Sequence, residues 1–183
     1  MDHASEGGRP ASKKNGANRL LDESLKLAEG AGLIGRVSNL TALDGSGFEA
    51  HHVSHYFVRR RSRGDKRISS MTYRHFPKVG LLVDCRNHLI LSAVPGRGPG
   101  PDILHFKRAL REAVKRQLLD TVLADPGYDA EWVHVHARCE HGLCAIIPPR
   151  IGRPTEKPPS TRYRRQMRAY FRRPPECRRY GQR

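Results

Sequence analysis

Thr121–Asp129 (TVLADPGYD) is a short apolar run that ends abruptly in a carboxylate, a proline and a glycine. Apolar runs of this length, bounded by Gly and Pro, are typical of a strand in a sheet that is covered on both faces. We predict a buried strand that carries Asp125 to its carboxyl end, where open α/β sheets build their sites. A second interpretation stays open, in which Asp125 only caps an Asp-Pro-Gly turn.

Residues 39–47 (NLTALDGSG) repeat this pattern with a short apolar run, then Asp44, then glycines that let the backbone turn sharply. They predict a second strand that ends in an aspartate. Residues 48–76 alternate His, aromatic and basic side chains, and there the sequence predicts only a short strand near residues 56–58.

Residues 79–84 and 89–94 are two apolar runs that predict a β-hairpin. Asn87, in the link between them, suits a left-handed turn position. The segment Arg97–Pro101 then breaks regular structure. Because its prolines remove amide donors, we predict a connector rather than a phosphate-binding loop.

Asp102 is a suitable N-cap for the strongest predicted helix, whose apolar residues recur at spacings of three and four as far as Leu118. Residues 130–140 predict another helix, and residues 143–147 predict another buried strand. The predicted order is therefore strand, hairpin, helix, strand, helix, strand. This order indicates one α/β domain.

The two ends of the chain differ from this core in composition. Residues 1–19 are polar and rich in Gly, Ser, Asn and Lys, and they predict a disordered leader. An amphipathic helix is predicted over residues 20–33, at the start of a core that spans residues 20–149. Residues 150–183 hold 12 Arg or Lys against two Glu, with five prolines, so we expect this basic segment to supply little core.

The charge of the chain points to a polyanionic partner, and nucleic acid is the obvious one. Lys and Arg number 34 against 18 Asp and Glu, which gives a formal net charge of +16 and a pI near 10.5. Aromatic residues among the C-terminal arginines suit base stacking beside phosphate contacts. The candidate nucleic-acid-binding residues are Arg59, Arg60, Arg61, Arg150, Arg153, Arg164 and Arg165.

No secretory signal and no apolar run of ~18 to 20 residues, the length that a membrane span requires, occur in the sequence. The four cysteines have irregular spacing, which indicates a reducing compartment rather than a disulfide framework. We therefore expect a cytosolic protein without a membrane partner.

A family resemblance is carried by six segments: LDGSGFEAHHVSHYF, PKVGLLVDCRNHLILSAVPGRGPGPD, LADPGYDAEWVH, AIIPPRIGRPTEKPP, RYRRQM and YGQR. In this order they resemble the catalytic domain of bacterial insertion-sequence transposases of the DDE, RNase H-like type. The resemblance covers residues 20–183. It implies a mixed five-stranded sheet with flanking helices, in which the strands that carry Asp44 and Asp125 lie side by side.

The resemblance also implies an activity, DNA strand cleavage and transfer in transposition. Asp44 and Asp125 then fall on the first two catalytic carboxylates, which bind Mg²⁺ or Mn²⁺ as a pair of ions. Neighbouring strands lie ~4.8 Å apart, so carboxylates at their ends can share ions ~3.5 to 4 Å from each other. The implied partners are transposon ends and target DNA, bound by a homodimer in the bacterial cytoplasm, on the nucleoid.

Asp84 also follows an apolar run and is an alternative to Asp44 as the first carboxylate. We prefer Asp44, because Asp84 enters a tight hairpin where a turn role is the simpler explanation. Asp129 is expected to cap the helix that follows it.

Members of the resembled family carry a third carboxylate, a glutamate, on a helix just beyond the sequence that residues 180–183 resemble. This sequence stops at Arg183, and Glu176 lies among prolines, so we do not expect it to replace the family glutamate. We therefore expect a truncated or frameshifted transposase that folds and binds DNA but catalyses poorly or not at all. The alternative is a non-catalytic, basic α/β domain that binds nucleic acid.

A structural zinc site is a competing hypothesis. Its ligands would come from HVHARCEHGLC, which supplies imidazoles and thiolates at His134, His136, Cys139, His141 and Cys144. The spacing argues against it, because a helix followed by a strand would point these side chains in several directions and no second Cys/His pair lies at a finger-like distance.

Overall fold

The computed structural model describes residues 14–48, 76–98, 100–150, 159–174 and 180. Within these ranges there are four α-helices: α1 (Lys14–Gly30), α2 (Phe106–Val114), α3 (Glu131–Val135) and α4 (Arg162–Tyr170). The strands are β1 (Val37–Ser38), β2 (Thr41–Gly47), β3 (Phe76–Asp84), β4 (Ile90–Gly98), β5 (Leu118–Leu119), β6 (Thr121–Ala124) and β7 (Cys144–Ile146). The strand predicted near residues 56–58 lies outside the described residues.

Five strands form one mixed sheet in the order β4-β3-β2-β6-β7. The first three pair antiparallel, whereas β2, β6 and β7 run parallel to one another. The strands β1 and β5 form a separate short parallel pair. The large sheet, with helices packed against it, is the predicted RNase H-like α/β arrangement, and the predicted element order is confirmed.

Strand β6 is buried along its whole length, as predicted. On one face Val122 and Ala124 join the main hydrophobic core, to which α1, α2 and α3 contribute. On the other face Leu123 packs in a second cluster with Ile146 of β7 and Met167 of α4. Apolar side chains are therefore favoured at Val122, Leu123 and Ala124, because both faces of the strand are covered.

Helix α2 is shorter than predicted. Asp102–His105 forms a 3₁₀ turn ahead of it, and the N-cap of α2 is His105 rather than Asp102. Leu118 belongs to β5, where it pairs with Val37, rather than to the helix. The spacing of apolar residues is compatible with a helix as far as Leu118, but Leu118 pairs with β1 instead.

The hairpin of β3 and β4 is confirmed, with two corrections. The residue with positive φ in its turn is His88, at 60°, and not Asn87. The side-chain oxygen of Asn87 accepts the N–H of Leu89 at 3.0 Å. Strand β4 also continues through Gly98, which pairs with Phe76, so the predicted break at Arg97 was placed two residues too early.

Both ends of the described chain are more ordered than predicted. Helix α1 begins at Lys14, inside the predicted leader, and Asn18 accepts a hydrogen bond from Arg116 at 3.1 Å. Helix α4 lies in the basic segment, where Met167 is 5% exposed in the second hydrophobic cluster. Helix α4 thus contributes one buried side chain, Met167, and the prediction that this segment supplies little core stays a prediction.

Phe106 anchors α2 to the loop and helix that follow β6. Its ring is fully buried, and its centroid lies 6.1 Å from that of Tyr128 and 6.2 Å from that of Trp132. We expect Phe106→Ala to lower the free energy of unfolding by about 3 to 5 kcal/mol, because it leaves a cavity in the core. Leu104→Ala is the control, since this neighbouring apolar side chain is 69% exposed and its loss should cost less than about 0.5 kcal/mol. Urea denaturation of both variants measures the difference, and equal losses would contradict the prediction.

Candidate active site

The parallel pairing of β2 with β6 brings Asp44 and Asp125 together. In the register of these strands Thr41 lies beside Val122 and Leu43 lies beside Ala124. Asp44 follows Leu43 within β2, and Asp125 follows Ala124 directly after the end of β6, so the two lie side by side on segments ~4.8 Å apart. The buried hydroxyl of Thr41 donates to the carbonyl of Thr121 at 2.9 Å and adds a side-chain bond to this pairing.

The surroundings of Asp44 differ from the prediction. Strand β2 does not turn after Asp44 but continues to Gly47, paired antiparallel with β3. Asp44 is exposed, and its Oδ1 accepts the backbone N–H of Gly45 at 2.8 Å. Its carboxylate therefore stands on an extended strand and is open to solvent.

Asp125 both follows the buried strand and caps the Asp-Pro-Gly turn, which are the two positions that the sequence indicated. It is the first residue after β6, and its Oδ1 accepts the N–H of Gly127 at 2.9 Å, which caps the 3₁₀ turn Pro126–Tyr128. The residue is half-buried. A cap of this kind fixes the orientation of the carboxylate at the end of the strand.

Gly45 is needed for close packing rather than for a turn. A Cβ at this position would overlap the carboxylate of Asp102, in the 3₁₀ turn ahead of α2. The same turn places the imidazole of His105 against Gly80 and Gly96 on β3 and β4. Gly45 and Gly80 are cross-strand partners, so glycine on neighbouring strands lets the turn approach the sheet beside Asp44.

The 3₁₀ turn adds a third carboxylate, Asp102, to this end of the sheet, and strand β3 supplies Lys78 to pair with it. Lys78 Nζ lies 2.5 Å from Asp102 Oδ1 and donates to the carbonyl of Gly100 at 3.0 Å. The side chain of Lys78 is only 12% exposed. This ion pair explains Asp102, which the sequence placed as a helix cap, whereas Lys78 was not predicted because nothing in its local sequence marks it.

Tyr128 lies beneath these carboxylates. It is fully buried, and among the described residues its hydroxyl has no hydrogen-bond partner. Burial raises the pKa of the hydroxyl, and the negative charges of Asp102, Asp44 and Asp125 raise it further. The hydroxyl therefore keeps its proton and can serve as a donor.

Asp84 lies at the opposite end of the sheet. It pairs in register with Thr41 at the start of β2, and its Oδ1 accepts the N–H groups of Arg86 and Asn87 at 2.8 and 3.1 Å. The hairpin turn therefore uses this carboxylate. Asp84 is only 4% exposed, and it lies at the other end of β2 from Asp44.

Asp129 does not cap α3, whose N-cap is Ala130. Its buried carboxylate binds the Arg164 guanidinium of α4 through two hydrogen bonds of 2.9 Å. Glu131 accepts the N–H groups of Tyr163 and Arg164 at 3.0 and 3.1 Å, and so caps α4 from another element. These contacts could not be predicted from local sequence patterns, because the partners are more than 30 residues apart.

A family model described as the transposase DDE domain matches residues 35–179, which include Asp44, Asp125 and all five strands of the large sheet. The chain belongs to this family. No curated protein and no solved structure matches the chain significantly. The protein is thus a DNA transposase by family, and DDE transposases act on DNA with divalent metal ions. None of its described helices is both long enough and apolar enough to cross a membrane.

The arginines proposed from the sequence have different positions in this transposase. Arg165 is exposed on α4, and exposed Arg150 donates from Nη2 to the carbonyl of Gly127 at 3.3 Å. Arg164 forms an ion pair with Asp129 while its side chain remains 32% exposed, so its contact with DNA stays a prediction. The other candidates, Arg59, Arg60, Arg61 and Arg153, lie outside the described residues.

Among the described residues, no three or more His, Cys, Asp or Glu side chains form a group that could bind a metal ion. His136 Nδ1 is instead 2.7 Å from a Glu140 carboxylate oxygen, and Cys139 Sγ is 3.3 Å from the Tyr163 hydroxyl. His134 is fully buried, and burial, then the charge of Arg138, lowers its pKa to about 4.

The close approach of Asp102 to Gly45 can be tested by adding a single methyl group. We expect Gly45→Ala to lower the free energy of unfolding by about 1 to 3 kcal/mol, because the 3₁₀ turn must move away from the sheet. Gly35→Ala is the matched control, since a Cβ there meets nothing within 4 Å. It should be neutral or stabilising by up to about 1 kcal/mol. Thermal unfolding followed by circular dichroism compares the two, and an unchanged Tm for Gly45→Ala would contradict the packing described above.

Proposed function

We propose that Asp44 and Asp125 are the catalytic carboxylates of this transposase, and that they bind Mg²⁺ or Mn²⁺ to cleave and join DNA. The observation that carries the proposal is the register of β2 and β6, which ends at Leu43 beside Ala124 and leaves the two aspartates side by side. Membership of the DDE family supplies the reaction class.

The donor set fits the metal. Two carboxylates provide hard oxygen ligands, and Mg²⁺ is commonly held by one or two carboxylates while water and substrate phosphates complete its shell. In each aspartate Oδ1 accepts one backbone N–H, and among the described residues Oδ2 accepts no hydrogen bond. When bound, a pair of divalent ions activates a water or a DNA 3′-hydroxyl and stabilises the departing oxygen.

The residues of the chain then have separate tasks. Asp44 and Asp125 hold the cations at a solvent-open end of the sheet that a DNA strand can reach. The backbone N–H groups of Gly45 and Gly127 orient the carboxylates. Lys78 offsets the negative charge of Asp102 close by, at 2.5 Å, so that this third carboxylate does not add its full repulsion to the pair.

Removal of either carboxylate tests the proposal directly. We expect Asp44→Asn and Asp125→Asn each to abolish tight Mn²⁺ binding and to lower any Mn²⁺-dependent nicking of supercoiled DNA by at least about a hundredfold, since metal ions supply several kcal/mol of transition-state stabilisation. Paramagnetic resonance of free Mn²⁺ measures the first effect and gel assays measure the second.

Asp84→Asn is the matched control, because it removes a carboxylate from the other end of the same sheet. It should lower stability through the hairpin turn but leave Mn²⁺ affinity unchanged. Equal Mn²⁺ affinity in the wild type and in both active-site variants would instead favour the alternative, a DNA-binding domain without catalysis.

We propose further that Arg150 and Arg165 contact DNA phosphates, together with Arg59, Arg60, Arg61 and Arg153. The net charge of +16 supports DNA as the partner, and Arg150 lies beside the loop that carries Asp125. We propose the bacterial cytoplasm, on the nucleoid, as the setting in which the protein meets this DNA. A homodimer would supply one active site for each transposon end.

Salt dependence distinguishes a phosphate contact from a general loss of charge. We expect Arg150→Gln and Arg165→Gln each to reduce the slope of log affinity against log salt by about one, since each contact releases about one counterion. Lys26→Gln removes the same charge from exposed α1, where Lys26 pairs with Glu23, and it should change the slope much less. Fluorescence anisotropy with a short duplex measures the three slopes, and equal slopes would exclude these contacts.

A further inference from the structure

The loop between β6 and α3 begins with Asp125, and near its other end Asp129 binds Arg164 of helix α4. Asp129, in this loop, and Glu131, at the start of α3, both accept hydrogen bonds from the first turn of α4. We call Asp129, Glu131 and Arg164 the clasp. We propose that the clasp is a positioning device: by docking α4, it fixes the orientation of the Asp125 carboxylate. This inference rests on the proposed role of Asp125 in cation binding.

The first link is the dependence of α4 on the clasp. The helix has nine residues, four of them arginine, and isolated helices of this length are marginal in water. Its N-cap, Thr161, makes no local capping bond. Glu131 accepts the N–H groups of Tyr163 and Arg164 instead. Burial raises the pKa of Glu131, but hydrogen bonds from Tyr163, Thr161 and Arg164 outweigh it and lower the pKa below its usual value.

The second link is the ion pair between α4 and Asp129. The carboxylate of Asp129 is 1% exposed, so it would be costly to bury without a partner. Arg164 Nε and Nη2 bind its two oxygens at 2.9 Å each, in a bidentate geometry that restricts both side chains. The backbone N–H of Arg150 adds a third hydrogen bond to Asp129 Oδ2 at 2.9 Å.

The third link runs from Asp129 back to Asp125 through one tight turn. The N–H of Asp129 donates to the carbonyl of Pro126 at 3.2 Å, and the N–H of Tyr128 donates to that of Asp125 at 3.1 Å. The N–H of Gly127 donates to Asp125 Oδ1, while its carbonyl accepts from Arg150 Nη2 at 3.3 Å. Every residue between the two aspartates is therefore fixed by a bond on one side or the other.

The clasp therefore acts on Asp125 only through the backbone. Its members are positioning residues, since none of them contacts Asp125 in the described structure. Loss of the Arg164 pair would leave Asp129 charged and buried, and the turn would have to open to let water reach it. The N–H of Gly127 would then no longer hold Asp125 Oδ1 in place, and a cation would have to order the carboxylate as it binds.

The test uses the full 183-residue chain with Asp129→Asn, Arg164→Gln and Arg164→Lys. We expect the first two to weaken Mn²⁺ binding by about tenfold to a hundredfold, the range for residues that orient metal ligands. Arg164→Lys keeps the charge but loses the bidentate geometry, so its affinity should fall between those of Arg164→Gln and the wild type. Arg172→Gln is the control, because it removes an exposed arginine just beyond the same helix.

Hydrogen exchange of the Gly127 and Tyr128 amides distinguishes a local opening of the turn from a general loss of stability. We expect these amides to exchange at least about tenfold faster in the clasp variants, under conditions in which the amides of β3 and β4 exchange at the wild-type rate. If a variant fails to fold, Arg164→Lys and the milder Glu131→Gln provide the same comparison.

Two failures can be separated. If Asp44→Asn and Asp125→Asn lose Mn²⁺ binding while the clasp variants bind it as the wild type does, the positioning role is wrong and the proposed function stands. If the active-site variants keep Mn²⁺ binding, the proposed function is wrong, and the exchange of the Gly127 amide still decides whether the clasp holds the turn. If the Gly127 amide of the clasp variants exchanges at the wild-type rate, the positioning role of the clasp is wrong in either case.

Discussion

The parallel pairing of β2 and β6 is the interaction on which the rest of the structure depends. It joins segments that are about 80 residues apart, with the hydroxyl of Thr41 bonded to the carbonyl of Thr121. A shift of one residue in this register would move every side chain of β6 to the other face and separate Asp44 from Asp125. Strand β6 is buried along its whole length and lies inside the sheet, between β2 and β7.

The same pairing creates an electrostatic cost, because two carboxylates at adjacent strand ends repel each other. Exposure of Asp44 to solvent reduces the repulsion. Lys78 neutralises Asp102, the nearby third carboxylate, and backbone N–H groups donate to both members of the pair. The fold thus tolerates negative charge at this end of the sheet without removing it, which is the condition a cation site needs.

Sequence reasoning worked where one residue's surroundings are set by its own neighbours in the chain. The buried strand at Thr121, the hairpin and the turn at Asp125 follow from apolar runs and from Pro and Gly, and the structure confirms them. It failed where a distant partner decides. Asp102 and Asp129 were both predicted as helix caps, but Lys78 and Arg164 bind their carboxylates. Gly45 was predicted to turn the chain, but the approach of Asp102 requires it.

The separation of Asp44 and Asp125 along the chain also sets an order of events during synthesis. The hairpin of β3 and β4 is local and needs no residue beyond Gly98, whereas β2 remains without its parallel neighbour until β6 has been made. Closing so long a loop is slow compared with forming a hairpin. While the 81 residues from 45 to 125 are synthesised, Asp44 therefore lacks its neighbour from the end of β6. The two aspartates can therefore become neighbours only after β6 has left the ribosome, so the pair forms later than the hairpin of β3 and β4.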